Sequence, residues 1–181
     1  MSKALGMVEY KTVASGMTAA DIMIKTAAIE VLEAMPVCPG KYLVTVAGDL
    51  SSVRAAVDAA AAHNSAYLID SFVLGNPHES IFGAIKGAND VREPQALGIL
   101  ETFTAASAIV AADTTAKTAD VDLIELRLAK GLCGKSYLLI TGDVASVTAA
   151  IEKAKSGVED GMFLDSSIIA RPDKQLWDSI L

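Results

Sequence analysis

The sequence is poor in cysteine, in charge and in long apolar runs. Two cysteines in 181 residues cannot build a disulfide framework, so a reducing cytosol is the expected setting. No apolar stretch approaches the roughly 18 residues that a membrane span needs. The opening residues, Met1-Ser2-Lys3-Ala4-Leu5-Gly6, carry no secretory apolar core and cleavage pattern. Basic residues are outnumbered, with 15 Lys and Arg against 22 Asp and Glu and a formal charge of −7. That balance speaks against a nucleic-acid binder. There is no Gly-rich phosphate loop, no HExxH and no CxxC. His63 and His78 fall at the ends of expected elements, and neither neighbours a serine or cysteine with a third orienting group. No catalytic triad is therefore expected, and the chain does not read as an enzyme.

What is present is apolar and small. The chain is 52% hydrophobic with mean hydropathy +0.41, and much of that is alanine. Small side chains suit tight packing, and extra apolar surface suits subunit contacts. The chain is also one unit written twice. Leu5-Gly6-Met7-Val8-Glu9 returns as Leu97-Gly98-Ile99-Leu100-Glu101. Asp21, Lys25 and Ala27 return as Asp113, Lys117 and Ala119. Gly40-Lys41 returns as Gly134-Lys135, Gly48-Asp49 as Gly142-Asp143, and Asp70-Ser71 as Asp165-Ser166. The offset grows from 92 to 95 along the chain, so the second copy carries small insertions. Asn89-Asp90-Val91-Arg92-Glu93-Pro94 reads as the linker, giving a first domain over 1–89 and a second over 95–181.

Each copy predicts the same elements. In the first, Leu5–Tyr10 is a short strand and Thr18–Ala27 a helix, with Thr18 and Asp21 placed for a capping-box-like start. Asp21 and Lys25 form an i,i+4 pair. Ile29–Met35 and Tyr42–Ala47 read as strands. Asp49 is a good N-cap for a second helix, whose apolar face is Val53, Ala56, Val57 and Ala60, repeated as Val147, Ala150, Ile151 and Ala154. Tyr67–Leu74 is the last strand, and a short helix follows Pro77. The order is strand-helix-strand-strand-helix-strand. That predicts an α+β chain of two tandem ferredoxin-like domains with antiparallel sheets. Two fused copies acting as a pseudo-dimer suit a symmetric ring of few chains.

Between two apolar runs of the first copy lies Pro36-Val37-Cys38-Pro39-Gly40-Lys41. Two prolines and a glycine predict a tight, exposed loop. It holds a thiol within reach of solvent or a ligand. The reading is that this loop lines the centre of an oligomer. On residues alone, Cys38 is a small apolar residue in a turn or a free thiol. In the second copy Leu132 stands opposite Cys38 and Cys133 opposite Pro39, one position off. Cys133 reads as a buried or incidental thiol, or as a second group lining the opening. Trp177 reads as a packing residue.

The doubled Leu-Gly strand with its glutamate, the Asp21-x-x-x-Lys25-x-Ala27 helix, Gly40-Lys41, Gly48-Asp49 and the closing Ile169-Ala170-Arg171-Pro172 resemble the tandem-domain, trimer-forming shell proteins of bacterial microcompartments. Cys38-Pro39-Gly40-Lys41, with Tyr67-Leu68-Ile69-Asp70-Ser71 leading to Asn76-Pro77-His78, is similar to the propanediol-utilisation type. The resemblance implies a cytoplasmic homotrimer that mimics a hexamer and tiles a shell with other shell proteins. It implies a pore on the three-fold axis, lined by Val37, Cys38, Pro39, Gly40, Leu132, Cys133 and Gly134. It implies that Cys38 is the metal ligand, one thiolate from each of three chains holding a single [4Fe–4S] cluster. Such centres normally take four cysteines, so the fourth iron would have another donor. Mononuclear zinc would have to accept three thiolates plus water. The work implied is electron transfer across the shell, or passage of iron–sulfur units to enclosed redox enzymes. The alternative is a cofactor-free tile whose pore passes a small metabolite. Lys25, Lys117 and Arg171 match the family's tile-edge residues, with Asn76 standing at the arginine's place in the first copy. The bland reading of Lys25 and Lys117 is a solvated lysine paired with Asp21 or Asp113, worth about 0.3–0.5 kcal/mol.

Overall fold

The structure, a computed structural model, describes residues 4–91, 93–159 and 161–181. Met1–Lys3 of the N-terminal reading and Arg92 of the expected linker lie outside the described residues. The chain divides into two compact units, Met1–Pro77 and His78–Leu181.

The first unit holds β1 (Ala4–Tyr10), α1 (Val13–Thr26), β2 (Glu30–Val37), β3 (Lys41–Gly48), α2 (Leu50–Ala62) and β4 (Leu68–Leu74). Its sheet runs β2-β3-β1-β4, with every neighbouring pair antiparallel. The second unit holds α3 (Ser80–Lys86), β5 (Ala96–Thr102), α4 (Ala105–Thr118), β6 (Asp122–Arg127), β7 (Ser136–Gly142), α5 (Val144–Gly157), β8 (Phe163–Ile169) and α6 (Lys174–Ile180). Its sheet repeats the order as β6-β7-β5-β8. The expected two α+β domains with antiparallel sheets are what the chain forms.

Alternation sends Val8, Tyr10, Val44 and Val46 to the helical side of the first sheet, where they meet Ala19, Met23, Val53, Ala56, Val57 and Ala60. The sheet pleat supplies the first set and the 3.6-residue period the second. The repeated Leu-Gly signature has a steric cause. A Cβ on Gly6 would stand 2.6 Å from Val53 and 2.8 Å from Val57, and one on Gly98 would stand 2.6 Å from Ile140. Only glycine lets β1 lie so close to α2, and β5 so close to the side chains of β7 and α5.

Two expectations need correction. Helix α1 starts at Val13, not Thr18: Thr12 is the N-cap and its side chain accepts from the Ser15 amide. Thr18 lies inside the helix, with its hydroxyl donating to the Ala14 carbonyl at 3.0 Å. Pro36 and Val37 belong to β2 rather than to the loop, paired with Tyr42 and Lys41. Asp49 holds the N-cap position of α2 without a side-chain bond, whereas Asp143 accepts from the Ala145 and Ser146 amides at 2.9 Å each. The short helix α3, which the repeat places with the first copy, lies in the second unit, packed against β6 and α4.

Candidate functional site

The β2–β3 turn is short because the strands pair to their last residues. Gly40 donates its N–H to the Val37 carbonyl at 3.0 Å, with φ +88° that glycine adopts without penalty. The Cys38–Pro39 peptide is cis. Val37 is buried, 6% exposed. Cys38 is a free thiol, half-buried, and Pro39 and Gly40 are exposed. The turn therefore presents one thiol and one open glycine backbone.

Beside it sits an ion pair that spacing did not reveal. Lys41 Nζ stands 3.1 Å from Glu9 Oε1, with the Glu9 side chain 5% exposed and that of Lys41 28%. A buried carboxylate needs such a partner. The signal available was a glutamate closing an apolar strand and a lysine after the glycine, present in both copies. In the second copy the same pair is looser: Lys135 and Glu101 are 3.9 Å apart, with both side chains more exposed.

The second turn is longer and built on left-handed residues: Ala129 at φ +57°, Gly131 at +73°, Cys133 at +54° and Gly134 at +90°. Its closing bond runs from the Lys135 amide to the Leu132 carbonyl at 3.1 Å. The Ala129 amide donates to Ser136 Oγ at 3.1 Å. Gly134 matches Gly40 in conformation, so Cys133 does stand at the place of Pro39. It is a free and exposed thiol, which removes the buried alternative for it. Leu132 is half-buried and Gly134 buried.

Next to this turn Tyr137 donates its hydroxyl to Glu125 Oε2 at 2.6 Å, and Arg127 pairs with Glu125 Oε1 at 2.7 Å. Desolvation first, and the Glu125 bond second, push the Tyr137 phenol up to about 12. Among the described residues no group of three or more His, Cys, Asp and Glu is placed to hold a metal ion within one chain. A thiolate-held cluster here would have to draw its ligands from several chains, one Cys38 apiece, and a half-exposed turn thiol fits that donor set.

The expected edge residues are surface groups. Lys25 lies 2.6 Å from Asp21 with its side chain 73% exposed. Lys117 lies 2.6 Å from Asp113 with its side chain 42% exposed. Both pairs are the i,i+4 contacts read from the sequence. Arg171 is exposed beyond the end of β8. Asp113 does more: its Oδ1 accepts the backbone N–H of His78 at 2.8 Å. The His78 ring, read as having no such neighbour, touches Ser80 Oγ at 2.8 Å. This is a local turn before α3, and no acid bonds the other ring nitrogen among the described residues. Trp177 is half-buried on α6, and among the described residues no helix is long and apolar enough to cross a membrane.

The family model described as the BMC domain matches residues 4–77 and again 96–172. The chain is similar to the bacterial microcompartment shell protein PduT of Citrobacter freundii, at 39% identity over 98% of this chain and 97% of the relative. The crystal structure of a microcompartment protein from Desulfitobacterium hafniense superposes with a TM-score of 0.94 at 42% identity, covering 98% of this chain and 99% of that one. A fused, permuted hexameric shell protein from the RMM microcompartment shares the fold alone, with a TM-score of 0.63 at 21% identity over 86% of this chain and 81% of that one.

Proposed function

The chain belongs to the BMC-domain family, and from that premise we propose that three copies assemble into a pseudo-hexagonal tile with a redox-active pore. The protein is a structural tile of a bacterial microcompartment shell, and its relatives are shell proteins rather than enzymes. The observation that carries the trimer is the doubled domain. Three such chains bring six equivalent sheets around one axis, and a closed ring leaves no edge of the repeat unused.

In this reading the Cys38 and Cys133 turns face the axis. Pro39, Gly40, Leu132 and Gly134 set the opening, and Val37 anchors its wall from inside the protomer. Cys38 is the residue that would hold the cluster, three thiolates converging from three chains. When bound, such a centre supplies one-electron transfer at a potential set by its hydrogen bonds and exposure. The chain's own part is to hold the thiol. The Val37–Gly40 bond and the pairing of β2 to β3 fix where Cys38 stands, so little ordering is needed on binding. Lys25, Lys117 and Arg171 lie at the tile rim in this reading and meet neighbouring shell proteins. Enclosed redox enzymes are the partners that would use the electrons or the iron–sulfur units.

The test is anaerobic reconstitution with iron and sulfide, followed by analysis of both per trimer. Cys38→Ser should lose all its iron, because a neutral hydroxyl replaces thiolate poorly. Cys133→Ser should keep it, and both variants should still assemble. Full iron in Cys38→Ser ends the ligand assignment. A wild-type trimer that takes up no iron favours the cofactor-free tile, whose pore passes a small metabolite.

A further inference from the structure

The second copy carries a group of side chains where β8 leaves its sheet that the first copy lacks. Pairing of β5 with β8 sets Leu97 opposite Ile169, and the same register continued outward by two residues brings Gln95 beside Arg171. Pro172 turns the chain, and Asp173 caps α6 by accepting from the Gln175 amide at 2.8 Å. That turn brings Lys174 and Trp177 to the same place. With Val144, the first residue of α5, these side chains line a cavity of about 490 Å³, a size that takes a small organic ligand.

The polar groups of this cavity are donors without acceptors. Arg171 is exposed and makes no hydrogen bond or ion pair among the described residues, and neither the Trp177 indole N–H nor the Gln95 carboxamide makes one. The carboxylates nearby are engaged elsewhere. Asp178 holds Lys174 through both oxygens at 2.7 Å, Asp173 caps its own helix, and Asp143 accepts the Ala145 and Ser146 amides. The uncompensated charge is therefore the Arg171 guanidinium, a planar fork of five N–H donors whose geometry matches an oxyanion. Trp177, half-buried, and Val144, 47% exposed, add an apolar wall to the same cavity.

In the first copy Asn76, Glu79 and Phe82 stand for Arg171, Lys174 and Trp177, so an amide and a carboxylate replace two cations and the indole donor is gone. The cavity also lies off the side of the helix that packing covers. Helix α3 buries Ile81, Ala84 and Ile85, which match Leu176, Ser179 and Ile180, whereas Glu79 is exposed and Phe82 half-buried. We propose that this cavity binds a small organic anion, an oxyanion headgroup carried on a short apolar body. The headgroup, a phosphate monoester or a carboxylate, bonds the Arg171 guanidinium and the Gln95 amide, and the body lies against Trp177 and Val144. All of these residues belong to one unit, so the site depends on neither the trimer nor the pore.

Trp177 is the one tryptophan of the chain, so its fluorescence reports on this cavity. The full chain is titrated with butyl phosphate and with pentanoate, at protein concentrations too low for sheets to grow, because Arg171 is also a rim residue in the reading above. A saturable change is expected, and the tighter of the two probes names the headgroup. Inorganic phosphate, which lacks the apolar body, should bind about tenfold more weakly, and butanol should give no saturable change. Arg171→Asn places the first copy's residue at an exposed position. It should leave the circular dichroism unchanged and weaken binding about tenfold or more, the loss of a charge-assisted hydrogen bond. No saturable change with either organic anion overturns the site. Unaltered affinity in Arg171→Asn overturns the role of the guanidinium, and equal affinity for inorganic phosphate overturns that of the apolar wall.

Discussion

Gly16→Ala should destabilise the first unit, although the same change in an open helix stabilises. A Cβ on Gly16 would stand 2.3 Å from Tyr42 Cβ and 2.5 Å from each of Cγ and Cδ1. Tyr42 Cβ is bonded directly to the β3 backbone, so no rotamer change moves it away. Helix and strand would have to part by about 1 Å to restore ordinary carbon contact. Overpacking of this kind costs about 1–3 kcal/mol. Replacing glycine by alanine inside a helix returns about 1 kcal/mol. The net is a loss of up to about 2 kcal/mol, read as a lower urea midpoint by circular dichroism at unchanged slope. The second copy shows how to test the cause, because its corresponding residues are Ala108 and Ser136, both fully buried. In a Tyr42→Ser background the ring contacts with Cγ and Cδ1 are gone while the Cβ contact stays, so Gly16→Ala should cost less there than in the wild type. Tyr42→Ser alone lowers stability, since it opens a cavity and removes the Tyr42 hydroxyl bond to the Ala34 carbonyl. The coupling between the two changes is the quantity that matters. Equal or higher stability of Gly16→Ala in the wild-type background would refute the steric argument, as would an unrelieved loss in the Tyr42→Ser background.

Lys41→Met should cost about 2 kcal/mol in a urea titration, short of the roughly 3–5 kcal/mol of a fully buried broken pair, because the lysine head is partly in water. Lys135→Met should cost less than about 1 kcal/mol, its pair being longer and more exposed; equal losses would show that Glu9 does not depend on Lys41. Lys25→Glu with Lys117→Glu should leave trimers intact and stop their growth into sheets, and unchanged sheets by electron microscopy would remove both lysines from the rim. The Tyr137 phenol, raised to about 12, binds its proton more tightly folded than unfolded. Its contribution is thus fully present below pH about 10, where the free phenol titrates, and is lost as pH rises through about 12. Glu125→Gln should bring the tyrosinate absorbance step down only part of the way, because desolvation is the larger cause; no movement at all would exclude the Glu125 bond.

Much of this was legible in one sequence because it repeats. Two occurrences of Leu-Gly, of Asp-x-x-x-Lys and of Gly-Asp separate shared pattern from accident. The α2 face of Val53, Ala56, Val57 and Ala60, and its counterpart on α5, are buried as the helical period requires. The Asp21–Lys25 and Asp113–Lys117 pairs followed from i,i+4 spacing alone. The start of α1 was less legible. Thr12 and Thr18 are both plausible caps by type, and Thr12 prevails because the following turn packs Gly16 on Tyr42. Pro36 read as a breaker, yet as a residue pairing at the end of an edge strand it terminates β2 without disrupting it.

The sequence by itself determined the fold class, the doubling, the helix faces and the cysteine at a turn, because each depends on a local period or on a residue's own backbone preference. The tertiary structure alone decided which surfaces are satisfied. That α3 lies on β6 while α6 lies bare, that Glu9 is buried against Lys41 while Glu101 is not, and that Asp113 accepts an amide while Asp21 stands exposed are differences between near-identical copies. They arise because burial depends on what a residue meets across the fold, and a repeat written twice in one chain meets different neighbours each time.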